Sequence, residues 1–301
     1  MRPLTAKIAL CCVISLNSGA LLSAGDESSS RGLIFAERVQ GSGSSLGLIT
    51  KFDTAIGYQF NRYLAIEGGV PLYLINPSST LRDATGTGSQ NGIGDVHVDF
   101  RLSLANPVVN CTSMLTVGAP TGNKSTGFST GRATYDWSNW FDHSFSRLTP
   151  FANVGFANTI ADTPYFVRPF SSFGFITHAE GGASYRIIRG ASIGASVYGI
   201  APSGQQRVFS KVFKSGSGGP PSNSPGRGRQ GHQGVFETAG ESVGTADIAR
   251  DHGFSAWFAA SPSKYAQLEI GYSRSVEYAL DSVFFGVSFN LRSLFGDPRN
   301  R

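Results

Sequence analysis

Apolar and polar residues alternate with a period of two along most of this chain. In 46–60 the even positions are Leu46, Leu48, Thr50, Phe52, Thr54, Ile56, Tyr58 and Phe60, and the odd ones are Gly47, Ile49, Lys51, Asp53, Ala55, Gly57 and Gln59. Successive side chains of a strand point to opposite faces, so this spacing predicts a strand between two different environments. The segment from Ile93 to Leu104 repeats it more sharply. Val96, Val98, Phe100, Leu102 and Leu104 share one face, and Asp95, His97, Asp99, Arg101 and Ser103 share the other. Near the end, Val283, Phe285, Val287 and Phe289 oppose Ser282, Gly286, Ser288 and Asn290.

Eleven segments carry the pattern: 46–60, 63–74, 93–105, 107–119, 133–145, 148–159, 173–188, 191–200, 252–261, 265–275 and 282–292. A twelfth, 33–39, is weaker because Glu37 interrupts its apolar face. The connections alternate in length. Short turns stand at 61–62, 106–107, 146–147, 189–190 and 261–264, and longer ones at 75–92, 120–132, 160–172 and 202–251, with 276–281 shorter. If 33–39 is a strand, 40–45 falls in the long series. Tight hairpins at one end and long loops at the other describe an up-and-down antiparallel barrel. An even count with both termini at the short-turn end, as membrane barrels have, supports the twelfth strand. The fold class expected is all-β: a transmembrane up-and-down antiparallel β-barrel of about 12 strands.

A secreted sandwich also alternates. Its strands average roughly 5–6 residues, shorter than these, whereas a strand needs about 9–11 to cross a bilayer. Composition agrees with the barrel. Only 15% of residues are charged, against roughly 25% in soluble domains. Half of every strand then faces lipid and carries no charge. Aromatic residues cluster where a belt at the membrane interface would lie. Tyr58, Phe60, Tyr63, Phe145, Phe151, Tyr185 and Tyr265 stand beside short turns, and Tyr73, Tyr135, Trp137, Tyr198 and Tyr272 at the other end.

Residues 1–24 read as a secretory leader, with Arg2 and Lys7 before the apolar 8–16 and Ala24 at the cleavage position. Residues 25–301 then form a single barrel domain exported to the outer membrane of a Gram-negative-type bacterium. The formal charge of +5 falls to +3 without the leader, which gives no support to a nucleic-acid partner. Cys111 is the one cysteine after the leader, so no internal disulfide forms.

The run Gly92-Ile93-Gly94-Asp95-Val96, then Gly118-Ala119-Pro120-Thr121-Gly122, then 148–156 (LTPFANVGF) and 285–289 (FGVSF), resembles the outer-membrane barrels associated with the meta-pathway of phenol degradation. Asn123 stands where that family often has an acid. The resemblance covers roughly 46–292 outside the large loop. It implies transport of small hydrophobic or aromatic compounds, with no catalytic residues.

If the apolar faces meet lipid, the opposite faces line a lumen. That face collects Lys51, Asp53, Glu67, Asp95, His97, Asp99, Arg101, Asp136, Asp142, His178, Glu180, Arg186 and Glu269. It reads as a polar channel lining biased toward cations or neutral polar solutes, or as an ion-pair network filling a narrow barrel. Asp95, His97, Asp99 and Arg101 share a face as any polar strand does, and no metal or cofactor is expected. A rival enzymatic barrel needs a nucleophile beside its base. His143 and Ser144 point to opposite faces, and no GxSxG motif is present. The loop 202–251 contains a low-complexity tract at 215–234, expected to be flexible. Between Ser203 and His232, Arg207, Lys211, Lys214, Arg227 and Arg229 stand with no acid and make that stretch basic, a candidate contact for lipopolysaccharide. The reading is a passive channel or transporter for small solutes, with loops 75–92 and 202–251 restricting access. The alternative is a structural or adhesion barrel whose loops carry recognition. In fractionated cells the protein should sediment with outer membranes and run faster on gels unheated than boiled. A soluble, unshifted protein would refute the barrel.

Overall fold

The computed structural model describes residues 31–163, 166–213, 235–236, 239–263 and 265–290. The expected leader, 1–24, lies outside them. In chain order the strands are β1 (Gly32–Ser44), β2 (Gly47–Gln59), β3 (Leu64–Pro77), β4 (Gln90–Ile93), β5 (Val96–Leu104), β6 (Asn110–Ala119), β7 (Thr134–Asp142) and β8 (Leu148–Ala157). They continue as β9 (Phe170–Phe173), β10 (Ile176–Ile188), β11 (Ala191–Pro202), β12 (Gln206–Ser210), β13 (Glu241–Gly244), β14 (Asp251–Ser263), β15 (Ala266–Ser275) and β16 (Leu280–Asn290). One seven-residue helix, α1 (Ser79–Thr85), is capped by Ser78.

Around the wall the order is β1, β2, β3, β4 with β5, β6, β7, β8, β10, β11, β14, β15 and β16, every neighbour antiparallel. β16 pairs back onto β1 from Ala36↔Asn290 to Ser44↔Ser282, which closes the ring. β4 and β5 are two halves of one crossing, so the wall is a closed 12-stranded barrel. β9, β12 and β13 form a small separate sheet at the long-loop end.

The break between β4 and β5 has a local cause. Gly94 N–H donates to Pro71 O at 2.7 Å, so the backbone groups of Pro71 point toward this strand. Proline has no N–H to return, and the ladder lapses opposite it.

β1 forms, and is longer than its sequence pattern suggested. The tract 40–45, expected to open a long loop, instead continues the strand into a tight turn between Ser44 and Gly47. Glu37 sits on the outward face, opposite Thr54, whose hydroxyl donates to its carboxylate. A carboxyl facing lipid is unfavourable unless satisfied. This one is bonded and only 8% exposed.

The outward faces are apolar and open. Ile56 is 60% exposed, Val197 64% and Val283 58%. A water-soluble sheet would cover such a band, whereas lipid solvates it. The aromatic belt is present in part. Tyr58, Phe60, Tyr63, Phe145 and Tyr185 are exposed near the short turns, as are Tyr135, Trp137 and Tyr272 toward the loops. Phe151, Tyr73 and Tyr198 do not belong to it. Strand parity turns them inward, where Phe151 and Tyr73 are buried.

Several strand glycines lie beneath these inward rings. A Cβ on Gly182 would meet Phe151, one on Gly194 would meet Trp257, and one on Gly271 would meet Phe284. The rings therefore lie flat across the neighbouring strand. Phe151 stacks on Trp140 at 4.6 Å and approaches Trp257 at 6.1 Å, so an aromatic shelf follows one half of the inner wall. Gly194→Ala would place a methyl 2.3 Å from the Trp257 ring. It should destabilise the barrel by about 1–3 kcal/mol, read from the urea midpoint in detergent. Gly199→Ala, with open space at its Cβ, should change that midpoint far less.

Candidate functional site

The lumen is the concave feature that the wall builds, and alternation delivers charge to one side of it. Lys51 and Asp53 on β2 lie 3.6 Å apart. His97 on β5 sits between Asp53 at 3.8 Å and Asp99 at 3.7 Å. Its imidazole fills the space that a Cβ on Gly69 would take. Asp99 also accepts from the Thr116 hydroxyl at 2.5 Å. Arg101 bonds Glu67 at 2.9 Å, both buried. His178 on β10 meets Asp136 on β7 at 3.2 Å, over Gly155. Arg38, on β1, carries a positive charge close to Asp53 and Glu269. Glu180 continues the inward face of β10. Some of these groups are only partly covered. The side chains of His97, Asp99, His178 and Asp136 are 17–21% exposed, within reach of water.

Three expected members lie elsewhere. Asp95 falls in the bend between β4 and β5, where its carboxylate accepts the Gly122 N–H at 2.9 Å and braces the 120–132 loop. Asp142, at the end of β7, accepts from the Asn110 amide at 3.0 Å. Arg186 is exposed at the turn-end rim, donating to the Ser146 carbonyl. Its strand has the right parity, but the lumen ends before it.

At the loop end the lumen is filled. The connection after β8 folds inward instead of outward. Asp162 lies against the strands: Lys51 is 3.5 Å away, and the Tyr73 hydroxyl donates to it at 3.1 Å. Lys211, just beyond β12, reaches it at 3.3 Å. Arg168 lies beside it, its guanidinium 2.8 Å from Asp251 on β14, with both side chains no more than 2% exposed. Asp251 also accepts from Tyr198 at 3.1 Å and Ser275 at 2.6 Å. Above these ion pairs Leu46, Ile160, Phe166, Phe170, Ile176, Val208, Phe236 and Tyr278 pack into an apolar cluster. The largest buried apolar cluster among the described residues is thus a cap over the lumen.

Burial alone would raise the Asp162 carboxyl. Lys211, Lys51 and the Arg168 N–H outweigh it and hold the group well below the usual carboxylate range. Burial pulls Lys211 below the usual lysine range, although Asp162 opposes that.

One member of the basic loop is placed differently from expectation. Lys211 is buried inside the cap, and Arg207 is bonded to Glu241 at 3.1 Å. β12 belongs to the cap sheet, which turns these cations toward acids. Lys214, Arg227 and Arg229 lie outside the described residues. The flanks of 202–251 are ordered as β12, β13 and a turn of 3-10 helix at Ala246–Ala249. The occluding residues are mainly 158–163 and 166–169, which sequence reasoning passed over. Their signal was an arginine and phenylalanines (Phe166, Arg168, Phe170) inside a loop. Among the described residues no group of three or more His, Cys, Asp or Glu side chains is arranged to hold a metal ion.

No family model matches the chain, and no curated protein sequence matches it. Among solved structures, an outer-membrane channel from Pseudomonas putida F1 superposes with a TM-score of 0.52 at 13% identity, covering 91% of this chain and 98% of that one. The NanC porin aligns at 0.49 and 9% identity, over 85% of this chain and all of its own. The CymD monoaromatic hydrocarbon channel aligns at 0.36 and 8% identity, over 87% and 88%. The first of these shares the barrel fold.

Removing Arg168 should strand Asp251 in the cap, a loss of about 3–5 kcal/mol for a buried pair. Arg168→Ala should speed hydrogen exchange in 158–173 while leaving the wall strands protected. Asp162 has a depressed folded value, so its stabilisation is complete above about pH 4 and fades only as pH falls through that value. Exchange protection of 158–173 should therefore stay flat from pH 5 to 8 and fail only in strong acid.

Proposed function

We propose that this chain is a passive channel of a bacterial outer membrane for small solutes, held closed at its outer mouth by its own loops. The observation that carries the reading is the pairing of a lipid-compatible exterior with a charged interior that water still reaches. A barrel serving only as an anchor has no need of hydrated carboxylates along its axis. Charges in a low-dielectric wall are retained at a free-energy cost, and lining a solute path offsets it.

Carboxylates outnumber fixed cations on the inward faces. Asp53, Glu67, Asp99 and Asp136 stand against Arg38, Lys51 and Arg101, with the two histidines between. Such a lining favours cations and neutral polar solutes over anions. The shelf of Trp140, Phe151, Trp257 and Phe284 offers the other wall to apolar or aromatic parts of a solute. The resemblance to aromatic-compound transporters points the same way. An adhesion barrel with no transport remains the competing reading, favoured by the sealed mouth.

Planar-bilayer recordings separate the two. The native protein should give small, infrequent, cation-selective currents. Arg168→Ala should raise open probability severalfold by loosening the cap. Correctly folded protein that stays silent in both forms would refute the channel.

A further inference from the structure

Cations are distributed unevenly between the two ends of the barrel. At the loop end most exposed cations meet an acid, while Arg82 bonds the Pro77 carbonyl and Arg132 lies over the Phe173 ring. Lys124 and Arg207 meet Glu241, Arg250 meets Asp247 and Arg274 meets Asp281. At the turn end they meet none. Arg31, Arg62, Arg147, Arg186 and Arg189 are all exposed, and none forms an ion pair with a described residue. The connections 60–63, 105–109, 143–147, 189–190 and 264–265 contain no Asp or Glu.

The arginines fall into two groups, each beside large exposed apolar side chains. In the first, Arg31 donates through Nε to Phe60 O at 3.0 Å, and the Arg62 guanidinium lies 4.5 Å from the centre of the Tyr63 ring. Arg31, Phe60, Asn61, Arg62 and Tyr63 border an open cleft of about 550 Å³. In the second, the Arg186 N–H bonds Arg147 O at 2.8 Å, which sets the β7–β8 turn against the end of β10. Arg189 occupies the next turn, where Gly190 takes a φ of +83°. Phe145, Tyr185 and Ile188 are exposed around this group.

We infer that the turn-end rim is a binding surface for anionic phospholipids, with the arginines taking the phosphates and the flanking rings and aliphatic side chains taking the upper acyl chains. Guanidinium groups match phosphate oxygens in a bidentate geometry. Aromatic side chains at this level sit at the boundary between headgroup and hydrocarbon. The turns themselves hold no acid, and Asp142, just before the β7–β8 turn, is engaged by the Asn110 amide, so a headgroup meets little competing counter-charge. A free phosphate would use the guanidinium groups alone, and the apolar flanks select the lipid.

The inference rests on the barrel lying in a membrane with its turns on the phospholipid side. The test uses the full chain, folded in detergent, with equal phosphatidylglycerol and phosphatidylcholine, and native mass spectrometry of the retained lipids. Phosphatidylglycerol should be retained preferentially, less so at high salt. Each arginine neutralised should lower the preference roughly fivefold, tested with Arg31→Gln/Arg62→Gln and with Arg147→Gln/Arg189→Gln. Arg186 is left intact because it ties two turns together. The heat-dependent gel shift verifies folding of each variant, and the salt series on the unaltered protein needs no variant. Equal retention of both lipids, an unchanged preference in folded variants, or complete displacement by millimolar inorganic phosphate would overturn the proposal. A protein that fails to enter vesicles of these lipids would instead refute the channel reading itself.

Discussion

Closure of the hydrogen-bond ladder between β1 and β16 is the constraint on which the molecule depends. Hydrocarbon offers no partner for a free N–H or C=O, so a sheet in a bilayer must have no edge. Once the ring closes, every wall residue has a fixed side. Odd and even positions are committed to lipid or to lumen along each strand, and a one-residue slip would exchange them. Glu37 shows how firmly register overrides composition. It is carried outward with the rest of its face and made tolerable by the Thr54 hydroxyl.

The wall was legible because its signal is repeated in nearly every strand. Period-two alternation placed eleven crossings, and parity of the count supplied β1. The inward charges were legible for the same reason, since Asp53, His97, Asp99 and Arg101 are placed by position alone. The cap was not legible. Asp162 and Arg168 find their partners across the barrel, at Lys51, Tyr73 and Asp251, and no local pattern announces such contacts. The same blindness affected Lys211, which counted as one of a string of loop cations until its neighbours were known. Phe151 and Tyr73 failed in a milder way. Their position near strand ends suggested a belt, but parity, which was available, places them inside.

Wall and cap use different physics. The wall has little apolar core of its own between its faces, and its stability comes from the ladder and from lipid. The cap is built like a small soluble domain, with Phe170 stacked on Phe236 and Tyr278 edge-on to both, above buried ion pairs. Isolated buried charges would be ruinous there, so Arg168 with Asp251, and Asp162 with two lysines, are mutually dependent. The strand glycines serve neither region alone. By letting rings lie flat, they keep a barrel of this size from being filled by its own aromatic residues.

The reach of Asp162 also bears on the order of assembly. Its bond to Tyr73 spans 89 residues of sequence, from the loop after β8 back to β3. Arg168 spans 83 residues forward to β14. Neither contact can form until strands from both halves of the chain stand around one lumen. Sealing is therefore a late event that follows ring closure, because loop-closure entropy penalises long-range contacts until the wall has brought their ends together. A chain arrested between those two events would be a leak in the membrane that holds it.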